Sequence, residues 1–273
     1  MSCNIVQHGI DGFGHQTYGL FSTLILHNIK TYNFRGDIFI NKYFRFDHVS
    51  QNEGLHLKKY LQEAINNFMK DNIINNPIIN KHIHSHEIYK IPKQYDINTL
   101  YSIDNAYYFE KIELTHEEKI IHNENINKFK KYFIENKYLL PNRLEEESIV
   151  IHIRLGDAMK ISNWANEIIE NNKKIYKLLH IFKNKYPNYK IYVHSNGKPD
   201  FLKEFKYTFF DKNTPLLQFL SDVINSKIFI CSPSGLSKVA TYFTKADTII
   251  IPDNTKHSVD KKCIRISNYI KNI

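Results

Sequence analysis

The sequence predicts an α/β chain built on parallel sheet, and three observations carry that reading. Short runs rich in β-branched residues alternate with longer amphipathic stretches through the second half of the chain. The runs carry apolar residues on both faces, as strands covered from above and below do. Three of them end in small polar or ionic turns: Arg154-Leu155-Gly156-Asp157, Ser195-Asn196-Gly197 and Ser232-Pro233-Ser234-Gly235. In a right-handed parallel sheet these ends share one edge, where ligand crevices form.

The elements follow in order. Residues 5–7 make a short first strand. His8-Gly9-Ile10-Asp11-Gly12-Phe13-Gly14-His15-Gln16 is a glycine-rich turn, and residues 17–30 a helix with Leu20, Leu24, Ile25 and Ile29 on one side. Such a turn either simply closes a strand onto a helix or lets backbone amides approach an anion. It lacks the third glycine of a dinucleotide fingerprint. Residues 36–40 suggest a second strand and 54–70 an amphipathic helix. His82, His84 and His86 alternate, but no acidic or cysteine partner has ligand spacing, so no metal centre is expected. Residues 115–138 form a long polar helix opened by the Thr115–Glu118 capping pair. The charged break at 141–147 separates an N-terminal domain, 1–145, from a C-terminal domain, 146–273.

In that second domain, strands are expected at 149–153, 190–194, 227–231 and, last, 248–251, with helices at 163–186, 199–205, 216–225 and 236–243. His152 and Arg154 sit two apart at the end of the first of these strands, so both take the same face. An Arg there needs an anion: a ligand, or a structural partner such as Asp157. The serine turn opens a helix, so Ser234 either caps it or joins Ser232 and Gly235 in cradling a phosphate.

The chain has 273 residues and a formal net charge of +9. Its lysines are scattered, which favours solvated surface over a nucleic-acid-binding arm. Three widely spaced cysteines fit a reducing compartment without a disulfide framework. No apolar run approaches the ~20 residues that span a bilayer, and no signal peptide is evident, so a cytoplasmic protein without stable membrane insertion is expected. The phosphate loop of nucleotide hydrolases, the serine-hydrolase elbow and the Asp-x-Asp of metal-dependent glycosyltransferases are all missing. Arg and helix dipoles would replace a cation in such a site.

Gly12-Phe13-Gly14-His15-Gln16, His152-Ile153-Arg154-Leu155-Gly156-Asp157 and Ser232-Pro233-Ser234-Gly235-Leu236-Ser237-Lys238-Val239-Ala240 occur in the order of three motifs of fucosyltransferase-type glycosyltransferases. The chain resembles that family, which includes α-1,2-, α-1,6- and protein O-fucosyltransferases, from residue 9 to about 251. The resemblance implies a GT-B-like fold of two facing Rossmann-like domains. It implies an inverting, metal-independent transfer, most simply of fucose from GDP-fucose to a glycan hydroxyl, with no cofactor beyond the nucleotide-sugar donor. Arg154 would hold the leaving diphosphate, with Gly12, Gly14, His152, Asp157, Ser195, Asn196, Ser232, Ser234 and Gly235 lining the donor site. Asp11, His15 and Asp157 are the candidate bases, Asp157 more as a residue that orients Arg154.

Three positions depart from the family. His15 replaces an Asn, Leu155 stands where Arg is frequent, and Asn196 replaces an Asp that helps read guanine; its carbonyl accepts a hydrogen bond but carries no charge. His15 and Asn196 motivate the alternative of a non-catalytic nucleotide- or glycan-binding protein. The charge alone supports a second alternative, a basic nucleic-acid-binding protein.

Overall fold

A computed structural model describes residues 2–7, 14, 28–34, 63, 67, 79–83, 100–103, 116, 120, 123–124, 127–128, 130–132, 140–254 and 263–273. The chain divides into two compact units, Met1–Phe46 with Ser50–Tyr138, and Asp47–Val49 with Leu139–Ile273. The expected α/β class holds, and every strand pairing among the described residues is parallel.

In the first unit, β1 (Ser2–Gln7), β2 (Asn28–Phe34), β3 (Ile79–Ile83) and β4 (Leu100–Ile103) form a sheet of order β2-β1-β4-β3. Two expectations are corrected here. Residues 28–30 belong to β2 instead of ending a helix, since Asn28-Ile29-Lys30-Thr31-Tyr32-Asn33-Phe34 brings β-branched and aromatic residues to a parallel partner. Gly14 is helical and buried, so the glycine-rich segment is already helix at that residue. Glu63 and Asn67 are helical, inside the expected 54–70 helix. So are 116, 120, 123, 124, 127, 128 and 130–132, mostly exposed, as a polar helix should be. His82 lies in β3, while the expected strand at 36–40, His84, His86 and the Thr115–Glu118 pair lie outside the described residues.

The second unit has a six-stranded sheet of order β10-β9-β8-β5-β6-β7. Its strands are β5 (Ser148–Ile153), β6 (Lys190–Ser195), β7 (Thr208–Phe210), β8 (Ile228–Ile230), β9 (Thr248–Ile251) and β10 (Cys263–Arg265). The chain runs outward from β5 through β6 to β7. It then returns to lay β8 on the other side of β5 and continues to β10. This is the doubly wound order, with its switch point between β5 and β8. Both β7 and β10 are additions to the expected strands. Each is three residues long and partly exposed, so neither shows the continuous apolar run that marks the equally short, fully buried β8.

All six residues of β5 are buried, and its alternation assigns the two faces. Ile149, Ile151 and Ile153 pack with Ile175, Leu178, Leu179 and Phe182 of α1 (Ser162–Lys185) and with Ile266 of α4 (Ile266–Lys271). His152, on the opposite face, meets Phe219 of α2 (Leu216–Asn225) and Ser237 of α3 (Gly235–Phe243). The apolar stripe of α1 recurs at helical spacing. The helix stops at Tyr186, which Pro187 disfavours from helical backbone, with Lys183 and Lys185 favouring the end of the dipole. Residues 216–224 of α2 are buried throughout, as befits the crossover that carries the chain back over the sheet.

Ile151 is fully buried at the centre of the sheet, between β8 and β6. Ile151→Ala should therefore cost about 2–5 kcal/mol in urea unfolding. A loss below about 1 kcal/mol would contradict that placement.

Candidate functional site

Three turns gather at the carboxyl edge of the six-stranded sheet, because parallel strands all end on one side. Arg154-Leu155-Gly156 follows the central β5, Ser232-Pro233-Ser234 follows its neighbour β8, and Ser195-Asn196-Gly197 ends and follows β6 on the other flank. The first two therefore meet across the switch point.

Side chains tie the turns together. The Arg154 amide donates to Ser232 Oγ at 2.9 Å, and the next amide, of Leu155, donates to Asn196 Oδ1 at 2.8 Å. Behind Ser232 lies a buried polar chain. The Ser232 amide donates to Ser237 Oγ at 3.0 Å, and that hydroxyl lies 2.6 Å from His152 Nδ1. Ser237 is fully buried and His152 nearly so. Burial without a partner would be costly, so each supports the other.

Ser234 caps α3, its Oγ accepting from the Leu236 amide at 3.2 Å. The helix start, with its first-turn amides and dipole, thus opens beside the Arg154 turn. Ser195 is buried and its Oγ accepts from the Gly197 amide at 3.3 Å. Asp157 has its backbone in the 3-10 turn Gly156–Lys160, and its side chain lies outside what is described. Asp11, Gly12 and His15 lie outside the described residues as well, so only Gly14 of the N-terminal loop has an observed position.

Of the predicted site residues, the edge brings together His152, Arg154, Ser195, Asn196, Ser232, Ser234 and Gly235. Two readings are sharpened. Ser234 does act as the helix cap, and the Asn196 carbonyl engages the Leu155 amide of its own edge.

A second cluster escapes the sequence reading. The Asp222 carboxylate, wholly buried in α2, accepts from Arg143 Nη2 at 2.7 Å, His194 Nε2 at 2.9 Å and Gln218 Nε2 at 2.8 Å. Arg143 also lies over the Phe210 ring, 3.6 Å from its centroid. Arg143 and Asp222, which make this ion pair, are 79 residues apart in the chain. One signal was available: Asp222 is the only charged residue in the otherwise largely apolar segment 216–225.

His194 stands opposite His152 in the β5–β6 register, and Phe219 contacts both rings at 5.1 Å between centroids. Burial pushes His194 below the ordinary imidazole range, prevailing over the pull of Asp222 in the other direction. Burial alone would raise the Asp222 carboxyl, but the hydrogen bonds from His194, Arg143 and Gln218 prevail and hold it below its usual value. The pair is therefore a neutral imidazole donating Nε2–H to a carboxylate. It fixes the tautomer of His194 and seats the end of β6 against α2.

The edge thus sets the Arg154 turn beside the α3 start, on a framework in which Ser232, Ser237, His152 and His194 are hydrogen-bonded. Among the described residues no group of three or more His, Cys, Asp or Glu is placed to hold a metal ion. Among them, too, no helix is long and apolar enough to cross a membrane.

No family model matches the chain, and no curated protein sequence matches it. Solved structures of POFUT1 do. One in complex with GDP is 10% identical, with 89% of this chain and 96% of that chain covered and a TM-score of 0.45. An apo form is 11% identical over 57% of this chain and 53% of that chain, at 0.30. A complex with GDP-fucose is 10% identical over 89% and 72%, at 0.33. These values lie below the level at which a likeness establishes a shared fold.

The buried pair makes acid destabilising in two stages. Unfolded His194 takes up a proton near the usual imidazole value of about 6.5, which the folded ring refuses, so stability falls as pH drops below that point. The contribution of Asp222 is present above the ordinary carboxylate range and is lost lower, as pH falls through its depressed folded value. His194→Gln should flatten the decline in urea midpoint between pH 7 and 5. A slope equal to that of the wild type would contradict the assignment.

Proposed function

We propose that the edge at β5, β6 and β8 binds the diphosphate of a nucleotide sugar and that the chain is a glycosyltransferase. One observation supports this most: the Arg154 turn and the capped start of α3 lie side by side at the switch point, joined through Ser232. In doubly wound sheets that is where ligands bind. A guanidinium beside a helix start is suited to a doubly charged leaving group.

In this reading Arg154 and the first-turn amides of α3 stabilise the charge that develops on the departing diphosphate. They supply positive charge at the position a divalent cation would take, which supports a metal-independent mode. The acceptor hydroxyl attacks the anomeric carbon from the face opposite the leaving group, so the new C–O bond forms as the bond to the diphosphate breaks, with inversion. The hydroxyl proton passes to a base, for which the motif order nominates Asp11 or His15. Fucose as the sugar, guanosine as the nucleoside and a glycan as the acceptor rest on the same motif order in the sequence. A cytoplasmic location belongs to this proposal as well.

Calorimetry with GDP, UDP and GDP-fucose, each with and without EDTA, tests the reading. The expected result is binding of at least one nucleoside diphosphate, unaffected by the chelator. Arg154→Ala should weaken that binding about 10-fold or more and lower transfer or donor hydrolysis about 10²-fold. Absence of binding by every diphosphate would remove the proposal. Binding without transfer or donor hydrolysis would favour the non-catalytic alternative.

A further inference from the structure

The ladder of β5 ends unevenly. It is paired with β8 as far as Ile151 opposite Ile230, and with β6 as far as Ile153 opposite Ser195. Beyond these points the strands part, and the next amides of β5 lose the backbone carbonyls that would continue the ladder. Side-chain oxygens take over on both flanks: Ser232 Oγ receives the Arg154 amide from the β8 side, and Asn196 Oδ1 receives the Leu155 amide from the β6 side. Successive amides of a strand point to opposite neighbours, so the two bonds brace one short segment from left and right.

The Asn196 side of this brace is sterically matched. Gly156 has a φ of +66°, a left-handed conformation that favours glycine. A Cβ at Gly156 would lie 2.4 Å from Asn196 Nδ2 and 3.1 Å from its Cγ, so the amide group packs directly on the glycine. A Cβ at Gly197 would lie 3.2 Å from Leu155 Cβ. The two turns fit each other through a glycine in each.

We infer that Asn196 is a positioning residue for the Arg154 turn and not the reader of the nucleotide base. The inference rests on the reading that Arg154 meets the diphosphate. Its chemistry asks only for an acceptor oxygen at Oδ1, which Asp supplies as well as Asn. A base reader behaves in the opposite way. Replacing its NH₂ by a second oxygen exchanges donors for acceptors, and so changes which base is preferred.

The test uses the full chain and the variants Asn196→Ala, Asn196→Asp and Gly156→Ala, with GDP, UDP and ADP as probes. Amide hydrogen exchange at Leu155 is followed in the ligand-free protein. Asn196→Ala should speed Leu155 exchange about 10-fold and weaken all three diphosphates by about the same 10-fold factor. Gly156→Ala, which displaces the Asn196 amide from the other side, should do likewise. Asn196→Asp should keep Leu155 protected and leave the ratios among GDP, UDP and ADP within about threefold of wild type, since its added charge acts on every diphosphate alike. A reversal of base preference in Asn196→Asp would overturn the inference, as would unchanged Leu155 exchange in Asn196→Ala. If no diphosphate binds the wild type, the donor reading falls, and the exchange rates alone decide whether Asn196 holds the turn.

Discussion

Two consecutive amides, those of Arg154 and Leu155, have to find acceptors where the central strand leaves its neighbours. A parallel sheet opens at its switch point because the chain departs in opposite directions on either side. The opening that makes room for a ligand therefore also removes the backbone acceptors of the strand that reaches it. Buried amides without partners are costly. In this chain Ser232 and Asn196 fill the gap, and the Arg154 backbone is held on both flanks. The Arg154 side chain then leaves a fixed base, as the proposed contact with a diphosphate in one geometry requires.

The braces are themselves supported from behind. Ser237 takes the Ser232 amide and meets His152, so the serine turn is tied to the same strand it braces. On the other flank, Asp222 gathers Arg143, His194 and Gln218 and secures the end of β6, from which Asn196 projects. Removing one member of such a group leaves a buried charge or hydroxyl unpaired, which costs more than the bond itself contributes. The polar residues under the edge thus act as a framework. In the proposed function, the groups that meet the ligand are Arg154 and the start of α3.

Much of this was legible in the residues. Period and β-branching placed β5, β6, β8, β9 and all the long helices of the second unit, because each is long or strongly patterned. The three turns were legible because small polar residues interrupt apolar runs. What was not legible depends on pairing across the sheet. Arg143 and Asp222 are far apart in the chain, and only the crossover by α2 brings them together. The role of Asn196 follows from the register of β6 against β5, which no local pattern encodes. The strands β7 and β10 are three residues each, and their alignment comes from tertiary pairing more than from propensity.

The central claim is that one anion site forms where the Arg154 turn meets the start of α3. Two-dimensional NMR of the isotopically labelled full chain, titrated with a nucleoside diphosphate, addresses it most directly. The account predicts that the largest amide shifts fall at residues 154–156 and 234–238, with smaller ones at 195–197. Shifts centred elsewhere, with these amides unmoved at saturation, would contradict it.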